Sequence, residues 1–314
     1  MTFTPQRTAI VGATGPTGWH LARELAGRGL PVRAVSRRRD RLERAFAGLD
    51  VELTAADALD PEALARALDG CELAVDCIGL PAERMPDHPA TARRLAAAAR
   101  AAGARCLQVS SFWAFLPHRG EVVDERHPRE GGHAWFRFRR EAEDVLLDAG
   151  AAVVHLPDFF GPRVHTSSVQ AALEEALAGK PMSCLGDAGV EREIVYVPDA
   201  MRTVADLLGR EEAYGTDWGI PGNGAPSPRE LARLAGEHLG RAVQVRAAPV
   251  WLIRLVALFI PKLRPVVPIA PHYARPVRYD TSKLRGLLGE VERTPLPEAI
   301  AATLDWLAAA SDQG

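Results

Sequence analysis

Cysteine, tyrosine and lysine are scarce in this 314-residue chain, its charges nearly cancel, and no apolar run is long enough to span a bilayer. The four cysteines, Cys71, Cys77, Cys106 and Cys184, lack metal-ligand spacing. That excludes a cysteine metal site and a disulfide scaffold and leaves reduced core residues. A formal net charge of -2 supplies no field for nucleic acid or an anionic membrane. The most apolar stretch, Val250–Ile260, is too short for a span and holds Arg254. It reads as a buried or pocket-covering helix, with an interfacial membrane contact as the other reading. The first residues enter a strand pattern with no charged and apolar leader before it, so a cytoplasmic location is expected. No metal is expected, and a homodimer is compatible with this composition.

What is present is a chain 47% hydrophobic, enough for a large core. The segment Gly12-Ala-Thr-Gly-Pro-Thr-Gly18 follows a short apolar strand, Thr8–Val11, and opens a helix from Thr17 to about Ala26. Gly12, Gly15 and Gly18 allow close backbone approach, and the helix start offers free N–H groups, with Thr14 and Thr17 beside them. This is the pattern of a pyrophosphate cradle. Strand and helix patterns then alternate: Val32–Val35, a helix ending near Leu49, Val51–Thr54, a helix begun by Asp60 and Pro61, Leu73–Ile78, Ala90–Ala102, Arg105–Val109, Glu141–Leu147 and Ala152–Leu156. Such alternation predicts a Rossmann-type, doubly wound parallel sheet. Residues 1–160 are expected to form the dinucleotide-binding domain and 161–314 a smaller, mixed substrate portion with some chain crossing back. Ser227 and Glu230 form a capping box ahead of a helix running to Leu239.

The second strand ends in Ser36-Arg-Arg-Arg39, where an acidic residue would bind the ribose hydroxyls of NAD. A guanidinium at Arg37 or Arg38 pairs with a 2′-phosphate that a carboxylate would repel, so NADP(H) is the expected cofactor. Asp57 is placed for the adenine amine, and Gly79 for the nicotinamide ribose.

On these residues the chain resembles the short-chain dehydrogenase/reductase superfamily, in its extended and atypical branch of NAD-dependent epimerase/dehydratase and NmrA-like proteins. The glycine segment 12–18 is similar to that family's signature, and Val109-Ser110-Ser111 to the end of its fifth strand. Phe160-Gly161-Pro162 stands where Tyr-Gly-Pro is frequent, Arg192–Asp199 resembles an Arg-Asp-Phe strand, and Tyr279–Lys283 with Leu287-Leu288-Gly289 resembles a C-terminal signature.

The resemblance implies a Ser/Thr with a Tyr and a Lys four residues apart on one helix, the lysine holding ribose and lowering the tyrosine pKa. Anchored on Glu143, that alignment puts Trp135 in the tyrosine place and Arg139 in the lysine place. An indole is a donor only, and a guanidinium stays protonated, so the usual acid/base is gone. The tyrosines Tyr196, Tyr214, Tyr273 and Tyr279 and the lysines Lys180, Lys262 and Lys283 all lie far along the chain. Ser111 takes the serine place, as a donor to a substrate oxygen or as a strand-end serine bonded to backbone. The Asp-Glu pair that follows in dehydratases is Phe112-Trp113 here, which disfavours a sugar-nucleotide dehydratase. His133 is the nearby group able to exchange protons, or else a solvated loop histidine. Trp113 with Phe112, Phe115, Trp135, Phe136 and Phe138 suits an apolar pocket wall or simple packing. Phe160, Arg163 and Arg192 are expected at the substrate mouth, the arginines binding an anionic group. The expected function is an NADP(H)-dependent oxidoreductase or isomerase for a small apolar substrate; the alternative is a non-catalytic NADP(H) sensor.

Overall fold

Seven parallel strands form the central sheet of the computed structural model, which describes residues 2–165, 167–260, 264 and 266–311. Lys262 lies outside the described residues. In chain order the sheet strands are β1 (Thr8–Val11), β2 (Val32–Ser36), β3 (Glu52–Ala55), β4 (Leu73–Asp76), β5 (Arg105–Ser111), β6 (Ala152–Leu156) and β7 (Asp217–Gly219). They lie in the order β7-β6-β5-β4-β1-β2-β3. The order reverses between β1 and β4, which pair in register from Thr8 with Leu73 to Val11 with Asp76. A crevice opens at such a reversal, at the carboxyl ends of the strands.

Helices α1 (Pro16–Gly27), α2 (Arg39–Ala45), α3 (Pro61–Leu68), α4 (His88–Ala102) and α5 (Ala134–Asp148) connect the first six strands. One face of the sheet packs Ile10, Val75 and Val154 against Leu21 and Leu25 of α1 and Leu207 of α7 (Val197–Leu208), with α6 (Ser168–Leu177) preceding it in the chain. The other packs Val11 and Val35 against Leu64, Leu95, Ala99 and Leu146 of α3, α4 and α5. Strands buried on both faces are continuous apolar runs for this reason. A separate core joins Phe160 and Tyr196 to α6, α8 (Pro228–Leu239) and the Leu296–Ser311 helix.

Local chemistry sets the ends of these elements. Asp60 Oδ1 accepts the amides of Glu62 and Ala63 at 3.0 and 3.1 Å and starts α3, with Pro61 in its first turn. Ser227 likewise accepts the Glu230 amide at 3.2 Å, but the Glu230 carboxylate turns to Arg233 instead of back to Ser227. Only half of the expected capping box forms, because the arginine one turn on is the stronger partner. Helix α2 stops at Ala45 instead of Leu49, as Phe46 turns into the core. Strand β4 stops at Asp76 instead of Ile78, whose amide donates to the Asp76 carboxylate at 2.9 Å. Helix α5 starts at Ala134, well ahead of Glu141, where His133 Nδ1 accepts the Trp135 amide at 3.3 Å. Cys71, Cys77 and Cys106 are buried free thiols, while Cys184 is only half-buried.

The clearest departure from expectation is the apolar stretch. It forms α9 (Val250–Phe259), yet only Ile253 and Ala257 of it are buried. A helix apolar but for Arg254 has been left mostly in the open.

Gly12 has φ +86°, and a Cβ there would stand 2.7 Å from the Cys77 carbonyl oxygen. Gly29 has φ +72° with open space around it. Gly12→Ala should therefore cost about 2–4 kcal/mol, conformation and clash together, and Gly29→Ala about 1 kcal/mol from conformation alone. Urea denaturation of both variants checks the difference.

Candidate functional site

The glycine loop is pinned between β1 and β2 by the amides of Gly12 and Ala13, which both donate to the Val35 carbonyl, at 2.9 and 3.1 Å. Gly18 is held so close to the loop that a Cβ would lie 2.7 Å from the Gly12 oxygen, and Gly15 would meet that oxygen at 3.3 Å. Gly15 is the N-cap of α1 and offers no side chain, so the first-turn amides have no side-chain acceptor. That leaves them directed at the crevice as an anion cradle. Thr14 Oγ1 and Ser36 Oγ meet at 3.0 Å and tie the loop to the end of β2. Thr17 touches the buried Cys77 thiol beneath the loop.

Three arginines follow Ser36, and they differ. Arg38 grips Asp40 through two nitrogens, at 3.0 and 2.6 Å. Arg39 pairs with Glu43 and donates to the Leu53 carbonyl. Arg37 is exposed and has no hydrogen-bond or ionic partner among the described residues. Asp57, beyond β3, is exposed and accepts the Leu59 amide at 2.9 Å. Gly79, beyond β4, is exposed with open space on its Cβ side.

At the end of β5 the chain builds a buried ionic cluster. Glu143 is wholly buried and receives Arg129 Nη2 at 2.7 Å and the Ser110 hydroxyl. Arg139, one turn earlier on α5, reaches Ser110 Oγ at 3.3 Å, and its Nε is buried without a partner. Burial lowers its pKa, against the charges of Glu143 and Asp76 that raise it. Asp76, at the end of β4, is buried with its pKa raised by desolvation, and it accepts Gln108 at 3.1 Å. Arg140 faces the other way, donating to the carbonyls of Ala114, Gly131 and Leu116 and so fixing the loops around the site. Ser111 is half-buried next to Ser110. Trp135, one turn before Arg139, is half-buried against the edge of the His133 ring at 5.1 Å. His133 itself is exposed and spends Nδ1 on capping α5.

The expected substrate residues separate. Trp113 is half-buried and meets the Phe136 ring edge-on at 6.3 Å. Phe160 is fully buried in the C-terminal core against Tyr196, so it supports the site from behind and has no surface to offer a ligand. Arg163, at φ +66°, stacks its guanidinium 4.6 Å from the Trp19 ring on α1. Arg192 is spent internally: Nη1 donates to the carbonyls of His272 and Arg275 at 2.8 and 2.9 Å, and Nη2 lies 3.4 Å from Asp158. An arginine so tied holds a loop in place and is not a free anion receptor.

Two tyrosines that their distance along the chain had set aside complete this corner. Tyr273 donates its hydroxyl to Asp158 Oδ1 at 2.6 Å, with Arg192 4.4 Å from its ring and Trp113 alongside. Tyr279 stacks on Phe112 at 3.5 Å. Both tyrosines are distant in sequence yet fold back to the end of β5. Asp158 had a signal, since it lies two residues beyond a parallel strand, at the carboxyl end where ligands bind. Tyr273 had none.

Residues 12–154 match the family described as NAD(P)H-binding. The match spans 143 of the 314 residues, just under half of the chain. Over 161 residues the chain is 35% identical to the ceramide reductase of Caulobacter vibrioides, a match covering 49% of this chain and 46% of that protein, less than half its length. In fold it is similar to the UDP-glucuronic acid 4-epimerase of Bacillus cereus solved with NAD, at a TM-score of 0.79 and 14% identity over 96% of this chain and 99% of that one. It is equally similar to DesIV of Streptomyces venezuelae, a dTDP-glucose 4,6-dehydratase, at 0.80 and 18% over 98% of each chain. The resemblance to NAD-dependent epimerases and dehydratases read from the motifs therefore holds for the fold.

Helix α1 meets the segment after Phe160 where His20 bonds the Pro162 carbonyl at 2.9 Å. Burial lowers the His20 pKa to about 4, outweighing that bond, which raises it, with Arg23 and Arg163 adding to the lowering. The folded state then binds fewer protons than the unfolded chain between pH 4 and 6.5. Stability is full above about pH 6.5 and falls as the pH drops toward 4, by up to about 3 kcal/mol from this residue. His88 and His118, lowered to about 3 and 4 by burial, act in the same direction. His20→Gln should flatten the fall of Tm with acidification; an acid slope equal to that of the parent would contradict this.

Proposed function

We propose that the chain is an NADP(H)-dependent oxidoreductase acting on a carbonyl or alcohol of an apolar, lipid-like substrate, without the tyrosine and lysine pair usual in its relatives. The observation that carries the reading is Arg139, in the place that the family resemblance gives the lysine. It turns inward to Ser110 and keeps a buried Nε unpaired. The similarity to a ceramide reductase supports the lipid class.

The residues present fit a dinucleotide. The narrow glycine loop and the uncapped start of α1 would hold the diphosphate, Arg37 the 2′-phosphate with Arg38 beside it, and Asp57 the adenine amine. Gly79 leaves room for the nicotinamide ribose, whose hydroxyls Arg139 and Ser110 would bind. NADP(H), when bound, supplies or accepts the hydride.

The chain's own part is orientation and charge. Ser111 donates a hydrogen bond to the substrate oxygen, and Trp113 and Trp135 wall the pocket with apolar surface. Tyr273 offers a second donor. Burial and the neighbouring Asp158 raise its pKa well above the ordinary value, so it stays neutral and donates. Its O–H, now on Asp158, turns to the substrate oxygen and stabilises the negative charge that builds there. Water delivers the proton, and His133, exposed with Nδ1 on the helix cap, lies nearby, beside Trp135.

Arg37→Asp should raise the Kd for NADPH about 10- to 100-fold, the loss of one charge-assisted bond, and leave NADH nearly unchanged. Fluorescence titration measures both, and equal affinity of the parent for the two cofactors would contradict the NADP(H) assignment. The activity itself is tested by NADPH oxidation with long-chain ketones, ceramide-type ketones included, beside enones and sugar nucleotides. Turnover should be confined to the apolar carbonyls, and Tyr273→Phe should lower kcat about 100-fold with NADPH affinity intact. Tight NADPH binding without turnover of any of them would leave the sensor reading in its place.

A further inference from the structure

Helix α9 exposes Trp251, Leu258 and Phe259 at 65%, 68% and 80% of their surface, and Leu255 and Ile260 are exposed as well. Trp251, Arg254, Leu255 and Leu258 recur at helical spacing and so share one stripe. A stripe of this size on a folded chain marks a surface that something covers.

Charge identifies the partner. The chain as a whole carries -2, yet the stretch 241–279 holds seven basic residues, Arg241, Arg246, Arg254, Lys262, Arg264, Arg275 and Arg278, and no acidic one. Arg246, Arg254 and Arg275 are exposed and have no ion pair among the described residues. A tryptophan-bearing apolar stripe in a stretch of chain that is basic throughout and whose exposed arginines are unpaired has the composition of a helix lying in the headgroup layer of an anionic bilayer. No helix among the described residues is long and apolar enough to cross a membrane. Position supplies the reason for contact: α9 packs on the Ala270–Tyr273 turn, whose Tyr273 borders the candidate site.

We propose that α9 docks this protein on the surface of an anionic lipid bilayer, apolar stripe down and arginines at the phosphates, with the substrate mouth at the membrane. The benefit to a lipid substrate rests on the function proposed above; the docking itself does not.

The test is co-sedimentation of the full chain, without cofactor or substrate, with vesicles of phosphatidylcholine alone or mixed with phosphatidylglycerol. The chain should pellet with the mixed vesicles at least about tenfold better than with phosphatidylcholine, and added salt should weaken this. Leu258→Ser with Phe259→Ser, and separately Arg254→Glu, should each reduce pelleting about tenfold while NADPH binding and circular dichroism stay as in the parent. These side chains are exposed, so folding is spared. Equal or absent pelleting with both vesicle types at low salt would overturn the proposal. So would a parent dimer in light scattering that the same substitutions convert to monomer, which would give the face to a second copy. Absence of NADPH turnover would count against the proposed function and leave the pelleting result unchanged.

Discussion

A wholly buried carboxylate, Glu143, governs the geometry of the site. A charge in that position is tolerable only when paired, and removing one partner of such a cluster typically costs about 3–5 kcal/mol. Arg129 pairs with it directly, the Ser110 hydroxyl bonds it, and Arg139 adds the second positive charge nearby. The guanidinium of Arg139 is thereby drawn into the protein, toward the ends of β4 and β5, where Asp76 adds a further attraction. An arginine here is more constrained than a lysine would be, because its planar fork must satisfy several directions at once.

The sheet and the elements that follow Phe160 are joined by a few specific contacts. His20 holds the Pro162 carbonyl, Arg163 lies on Trp19, and α7 packs along α1. Arg192 in turn secures the turn that carries Tyr273, through the carbonyls of His272 and Arg275. Strand β7, contributed from beyond the substrate-side helices, closes the sheet next to β6. The turn that carries Tyr273 is thus set by hydrogen bonds to backbone groups.

Legibility followed the range of the interactions. The glycine loop, the βα alternation and the Asp60 cap are local, set by steric room and hydrogen bonds within a few residues, and they were readable. Phe160 was misplaced because motif position says where backbone runs, while the alternation of side chains along the strand decides which face is buried. Arg192 was read as a free receptor because sequence does not show that two carbonyls some eighty residues on would claim it. Tyr273 was set aside for the same reason, its partner Asp158 being 115 residues away. For α9, apolar composition implied burial, but among the described residues nothing covers Trp251, Leu258 and Phe259, which stay exposed.

The central claim of the proposed function is that Arg139, in the place that the family resemblance gives a lysine, takes over the binding of the ribose. The most direct measurement is a crystal structure of the chain with NADP+. Arg139 should lie within hydrogen-bond distance of the nicotinamide ribose hydroxyls while Ser110 remains on Glu143, and Arg37 should contact the 2′-phosphate. A nicotinamide ribose bound elsewhere, with Arg139 held by Glu143 and Ser110 alone, would contradict the account.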